Sequence, residues 1–288
     1  MAARVPPLDP WDPVRFYLNR PADLAQCFFF LVGMHGKGKT TLARFLMQFI
    51  DQRVETWVLY GGSEGSRALA DGAIPPAFCR YGDVTEKELE RYIERRRIEV
   101  DLATGNGRQP RRQCIVFDDC GASPAFKRAQ NCPFTKLVDN MRHLHVSIVM
   151  TAQNPNYINP STLSQVDFLF VMPVRMQEAR KTLYDRIFRG NLGTPEGQGF
   201  ATRDNQRFIA YVERYASRAG CCLVFSQSGS APVTYYRWPR RFDVMPLGDL
   251  QYNRNGKRCG AGRPRRREAV RQYDAELQSI LRDGSRLY

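Results

Sequence analysis

The chain has 288 residues, 43% of them hydrophobic, enough for one large core with or without an appended piece. Its longest apolar run, around 27–32, is far short of the ~20 residues a membrane-spanning helix needs. A formal charge of +14 at pH 7 exceeds what binding a small phosphate ester requires; it points to an extended polyanion, nucleic acid before a merely solvated basic surface or an assembly face.

Residues 1–22 carry five prolines, Pro6, Pro7, Pro10, Pro13 and Pro21, and are expected to form an extended arm anchored by Trp11, Phe16 and Tyr17. A buried strand follows at 27–32. It runs into Gly33-Met-His-Gly-Lys-Gly-Lys-Thr-Thr41 and then a helix over 42–50. Residues 54–60 predict a second strand closed by Gly61 and Gly62, then a loop to about Ile74 and a short strand over 77–81. Thr85, with Glu88 three residues on, has the spacing of a capping box and opens a helix to about Val100, whose Glu86, Glu90, Arg91, Glu94 and Arg95 form a solvated charged face.

A loop over 105–112 holds Arg108, Arg111 and Arg112. Strands are then expected at 114–117, 145–150 and 166–171, and helices at 136–141 and 177–188. This alternation predicts a mostly parallel α/β sheet. After Asn191 the pattern changes to a loop over 193–198 and a helix over 205–217, then a hairpin with strands at 222–226 and 233–238. From Asn253 the chain is basic and glycine-interrupted, with Arg263, Arg265, Arg266 and Arg267, before a last amphipathic helix over 268–281. The expected division is an arm (1–22), one nucleotide-binding domain (23–243) and a basic tail (244–288).

Eight cysteines are present, none in a C-x-x-C pair, and histidines number three, which argues against a zinc site. In a large chain without a secretory leader the thiols are expected to stay reduced.

Gly33 to Thr40 fit G-x-x-x-x-G-K-T. Gly33, Gly36 and Gly38 let backbone N–H groups converge on phosphates, with Lys37 and Thr41 in the same cradle. Lys39 reaches the β/γ-phosphates and the Thr40 hydroxyl is placed for Mg²⁺. Asp118 ends an apolar strand, as a carboxylate holding the Mg²⁺ shell does. Asp119 beside it is the candidate base for the attacking water, although glutamate, one methylene longer, is commoner there. Gln153, ending the next strand, can touch both γ-phosphate and water. Arg142, in Asn-Met-Arg-His, is the candidate arginine finger, with Arg175 and Arg180 as weaker rivals.

Together these segments resemble the poxvirus-type virion DNA-packaging ATPases of nucleocytoplasmic large DNA viruses, a branch of the FtsK–HerA superfamily of P-loop ASCE NTPases. The likeness lies in Gly-Met-His-Gly-Lys-Gly-Lys-Thr-Thr, Ile-Val-Phe-Asp-Asp-Cys and Asn-Met-Arg-His-Leu-His-Val-Ser-Ile-Val-Met-Thr-Ala-Gln, then Val-Asp-Phe-Leu-Phe-Val, within about residues 25–240. It implies a RecA-like core with the catalytic-acid strand between the P-loop strand and the next. It also implies ATP and Mg²⁺ as cofactors and a pentameric or hexameric ring moving double-stranded DNA into a preformed capsid. Capsid or portal-vertex proteins are then partners, and the virion and cytoplasmic assembly sites the location. By this resemblance Lys39 and Thr40 bind phosphate and metal, Asp118 holds the metal, Asp119 is the base, Gln153 the sensor and Arg142 a finger in trans. Arg108, Arg111 and Arg112 are candidates to grip DNA, and Arg263 to Arg267 to tether it. The rival readings are a P-loop kinase acting on a small molecule such as a nucleoside, and a non-motor assembly protein with nucleotide as a structural ligand.

Overall fold

Strands buried on both faces read as unbroken apolar runs, because a helix layer covers each side. In the computed structural model Phe28–Val32 (β1) is such a strand. Phe28, Phe30 and Val32 face one core, Phe29 and Leu31 the other, and all five are fully buried. With short gaps, the structure describes residues 8–20, 26–126, 131–185, 202–226 and 233–238, together with 247, 251–252 and 258–259. The predicted loop over 193–198, most of the basic tail and the last helix lie outside the described residues.

The remaining strands are Thr56–Gly61 (β2), Cys79–Tyr81 (β3), Gln113–Asp118 (β4), Val146–Ala152 (β5), Phe168–Val171 (β6), Cys221–Ser226 (β7) and Val233–Arg237 (β8). They form one sheet in the order β3-β2-β4-β5-β1-β6-β7-β8. The first six strands are parallel, and β7 and β8 are antiparallel, the latter two pairing with each other where a hairpin is expected. Both β4 and β5 stand between β1 and β2, so the strand ending in Asp118 is separated from the glycine-loop strand by one neighbour. Residues Gln251–Tyr252 (β9) and Arg258–Cys259 (β10) pair as a small separate ribbon.

Helices Lys39–Ile50 (α1) and Gly65–Ala70 (α2) pack on the face of Phe29 and Leu31. Helices Glu86–Gly105 (α3), Pro133–Asn140 (α4), Pro160–Leu163 (α5), Gln177–Leu183 (α6) and Thr202–Tyr215 (α7) contribute to the other core. Helix α2 occupies what the sequence suggests is loop: only Leu69 and Ala70 supply apolar burial, too few to set up a period. Helix α3 continues five residues past Val100, because its last turn is solvated and no apolar spacing marks its end.

The arm is not extended throughout. Pro10 bridges Tyr235 in parallel, then the Phe16 N–H donates to the Asp12 carbonyl at 3.0 Å in a helical turn. Trp11, Phe16 and Tyr17 are buried in the core that holds α1, with Trp11 edge-on to Phe168, Phe170 and Tyr236. Among the described residues no helix is long and apolar enough to cross a membrane.

Candidate nucleotide site

Parallel strands all end at one edge of the sheet, so whatever follows their last residues is gathered there. Val32 is in register with Ala152, and Asp118 with Thr151. The glycine loop, the acid pair and Gln153 therefore meet at a single edge. The Gly33 N–H donates to the Ala152 carbonyl at 3.2 Å, tying the loop to the strand that carries Gln153.

Gly36 and Gly38 take φ of 72° and 89°, and Gly38 is the residue from which α1 starts. That left-handed backbone is one an L side chain resists. A Cβ at Gly38 would also come within 3.2 Å of the Trp238 ring. Lys37 is exposed at the loop tip, while Thr40 and Thr41 lie half-buried in the first turn of α1. The Lys39 ammonium donates to the Gly33 and Met34 carbonyls at 2.8 and 3.0 Å. Burial pushes its pKa below the ordinary lysine value, opposed by Asp119 and then Asp118. The lysine thus feels both carboxylates across the loop.

Asp118 is buried, and one carboxylate oxygen accepts from the Thr151 hydroxyl at 2.7 Å. The same hydroxyl oxygen accepts the Asp119 N–H at 3.1 Å. Asp119 itself has φ 55°, so the backbone leaves the extended path of β4 at this residue, which is half-buried. Its two oxygens accept from the Gln153 amide nitrogen at 3.3 and 3.2 Å. On the far side, Gly62 lies so close that a Cβ there would sit 2.4 Å from the Asp119 carbonyl oxygen. The Cys120 thiol donates to the Tyr60 carbonyl at 3.1 Å, and burial, aided by Asp118, pushes its pKa up to about 12. It is a structural thiol rather than a nucleophile.

Thr40 and Asp118 offer hard oxygen donors, and no group of three or more His, Cys, Asp or Glu able to hold a metal occurs among the described residues. Oxygen donors of this kind are those Mg²⁺ takes, one or two from protein with the rest of its shell from phosphates and water.

Thr151 and Gly62 are part of this site, and sequence reasoning passed over both. Thr151 shows in the sequence only as a hydroxyl at the end of an apolar strand, which does not mark it for the site. Gly62 was visible as the second of a glycine pair, read as no more than a strand stop.

The arginines divide. Arg142 is exposed in the turn that leads into β5, at the edge of the sheet opposite Lys39, so the structure does not bring it to its own chain's site. A strand of seven residues, roughly 20 Å, intervenes. Arg180 on α6 is nearer, lining a cleft with Met34, Pro173 and Glu213. Arg108, Arg111 and Arg112 lead into β4 at the same far edge as Arg142. Arg175, Arg263, Arg265, Arg266 and Arg267 lie outside the described residues.

No family model matches this chain. It is 22% identical over 155 residues to "Uncharacterized protein 075L" of Invertebrate iridescent virus 6, covering 54% of this chain and 57% of that protein. It is 26% identical over 149 residues to "Uncharacterized protein 015R" of Frog virus 3, covering 52% and 44%. The chain thus matches about half the length of these curated relatives. Its fold is similar to that of the genome packaging NTPase B204 from Sulfolobus turreted icosahedral virus 2. The ATP-gammaS complex gives a TM-score of 0.52 at 10% identity over 74% of this chain and 98% of that one. The AMPPCP complex gives 0.53 at 12% identity over 75% and 99%. At such identities the likeness is one of fold.

Proposed function

We propose that this chain is an ATP-hydrolysing motor that translocates double-stranded viral DNA into a preformed capsid during virion assembly. The observation that carries the reading is the junction at one sheet edge of a G-x-x-x-x-G-K-T loop, a buried Asp118, a half-buried Asp119 and the Gln153 amide on its carboxylate. A phosphate-binding turn alone needs none of the last three. The likeness in fold to a genome packaging NTPase supports the packaging role, and the two relatives from viruses support the viral setting. The β4-β5-β1 order supports an ASCE core, in which the acid strand and the loop strand flank a sensor strand.

In this mechanism the loop amides and Lys39 hold the β- and γ-phosphates, and the ammonium leaves its two carbonyls to do so. Thr40 and Asp118 would hold Mg²⁺, which would supply positive charge to offset that of the phosphates. Asp119 takes the proton of the attacking water as that water closes on phosphorus. Gln153 donates to Asp119 and orients it. Engagement of the γ-phosphate by the same amide would release the carboxylate for its role as base. The transition state still needs a cation on the transferring group. Arg142 stands at the far edge of its own chain, so in a ring it would have to act on a neighbour's nucleotide.

The test is steady-state ATPase of the full chain with and without double-stranded DNA, alongside its oligomeric mass. The expected result is a DNA-stimulated activity of a ring, abolished by Lys39→Ala and reduced at least about 100-fold by Asp119→Asn. DNA-independent hydrolysis by a strict monomer, or phosphate transfer to a nucleoside, overturns the motor.

A further inference from the structure

The edge opposite the nucleotide loop takes no part in the chemistry of its own chain's site, yet its segments are tied together by hydrogen bonds. Three segments meet there, entering β2, β4 and β5, which are neighbours in the sheet. The Glu55 and Thr56 N–H groups donate to the Arg112 carbonyl at 2.9 and 3.3 Å, and the Gln113 N–H donates to the His145 carbonyl at 3.0 Å. The 141–145 turn is closed by His145 at φ 52° and by Val146 N–H donating to the Met141 carbonyl at 2.9 Å. Arg142 and His143 are left exposed on that turn, as Arg108 is on the 106–112 loop, while Arg111 and Arg112 are half-buried. Arg108 and Arg142 make no side-chain ion pair among the described residues. Acids are scarce here: of the residues in 51–55, 106–112 and 141–145, Asp51 is buried on the Trp57 indole N–H and Glu55 is exposed.

One buried cation fixes the two arginine-bearing segments to each other. Arg96 of α3, 3% exposed, donates from Nε to the Leu144 carbonyl at 2.8 Å and from a terminal nitrogen to the Arg111 carbonyl. Its other terminal nitrogen pairs with Glu99 at 2.8 Å. Burying a guanidinium is a poor route to stability, since desolvation offsets most of the gain. What it secures is the spacing of the 106–112 loop against the 141–145 turn.

We propose that this edge is the phosphate-backbone surface for duplex DNA, with Arg108 and Arg142 as direct phosphate contacts, Arg111 and Arg112 beside them, and Arg96 as a positioning residue. The inference deepens the motor reading and rests on it for the choice of duplex. Two inter-strand spacings, about 10 Å, separate the outer segments. A DNA strand presents a phosphate every ~3.4 Å of axis, so about three lie across the surface. Arg142 thereby acquires a use that needs no reach toward a nucleotide. The competing source of phosphate is the nucleotide of a neighbouring subunit.

The experiment measures duplex binding by the full chain without nucleotide, by fluorescence anisotropy between 50 and 200 mM salt. Each phosphate contact contributes about 0.9 to the slope of log K against log salt. The Arg108→Gln/Arg142→Gln double variant should lose about 1.8 of that slope. Over the fourfold salt range the wild type should then lose about 12-fold more affinity than the variant. Arg96→Met should weaken binding while leaving the slope unchanged, which marks positioning rather than contact; a wild-type affinity would remove Arg96 from the proposal. An unchanged slope in the double variant overturns the surface. So does a pattern in which Arg142→Gln spares binding but poisons the ATPase of mixed rings with wild-type subunits, because Arg142 then serves the neighbour's nucleotide. Duplex binding that follows these slopes without any DNA-stimulated ATPase leaves the surface standing and sinks the motor.

Discussion

At the scale of single residues, the site turns on a hydroxyl. Thr151 is the atom through which Asp118 and Asp119 are held together, donating to one and accepting from the other's backbone. Thr151→Val keeps the shape, but it leaves a buried carboxylate oxygen and an N–H without this partner, at a cost of about 1–3 kcal/mol. Loss of such an outer partner typically weakens metal use by about 10–100-fold. The expected outcome is a raised Mg²⁺ requirement for ATPase and a lower unfolding midpoint, both restored by Thr151→Ser. Wild-type Mg²⁺ dependence and midpoint in the valine variant would show that the bridge does no such work. Lys39, Asp118, Asp119 and Gln153 were legible because their chemistry demands those residue types at strand ends. Thr151 and Gly62 were not, because what they do depends on a neighbouring strand and on a clearance of backbone, which no one-dimensional spacing encodes. Arg142 is legible by residue type alone, and its position in the sheet, away from its own nucleotide, is compatible with a finger only in trans.

Among the elements, the best-read boundary is the start of α3. The Thr85 hydroxyl accepts the Glu88 N–H at 3.2 Å, and the Glu88 carboxylate accepts the Thr85 N–H at 2.9 Å. The Thr85 hydroxyl, then its N–H, hold the Glu88 pKa below the ordinary glutamate value. A depressed carboxylate stabilises the fold fully above the ordinary glutamate range and loses that contribution as pH falls through the depressed value. Thr85→Ala should therefore cost about 1 kcal/mol near neutral pH, and the gap from wild type should narrow in acid. Urea unfolding at several pH values reads both; a gap that widens on acidification contradicts this account of the cap. The strands were legible for a related reason, since burial on both faces forces continuous apolar runs such as Phe28–Val32. Helix α2 was hidden because six residues hold too few buried positions to repeat, and the end of α3 because its last turn is solvated.

For the molecule as a whole, the sheet has two edges with different work. One collects the carboxylates and the lysine loop; the other collects arginines. Composition announced the excess of positive charge but not its distribution, because charge totals carry no direction and strand order does. The same order places β1 deep in the sheet, bonded to β5 on one side and β6 on the other, with covered faces above and below. Amides so placed exchange with solvent only when the whole domain opens, whereas those of an exposed loop exchange through local excursions. In deuterium labelling read by mass spectrometry, peptides over 28–32 should be among the last to label, and 35–37, a few residues on, among the first. Early labelling of β1 would contradict its place in the sheet. A boundary between durable and pliable backbone thus runs through the start of the glycine loop, which would let that loop remodel around a phosphate while the strand beneath it keeps time for the fold.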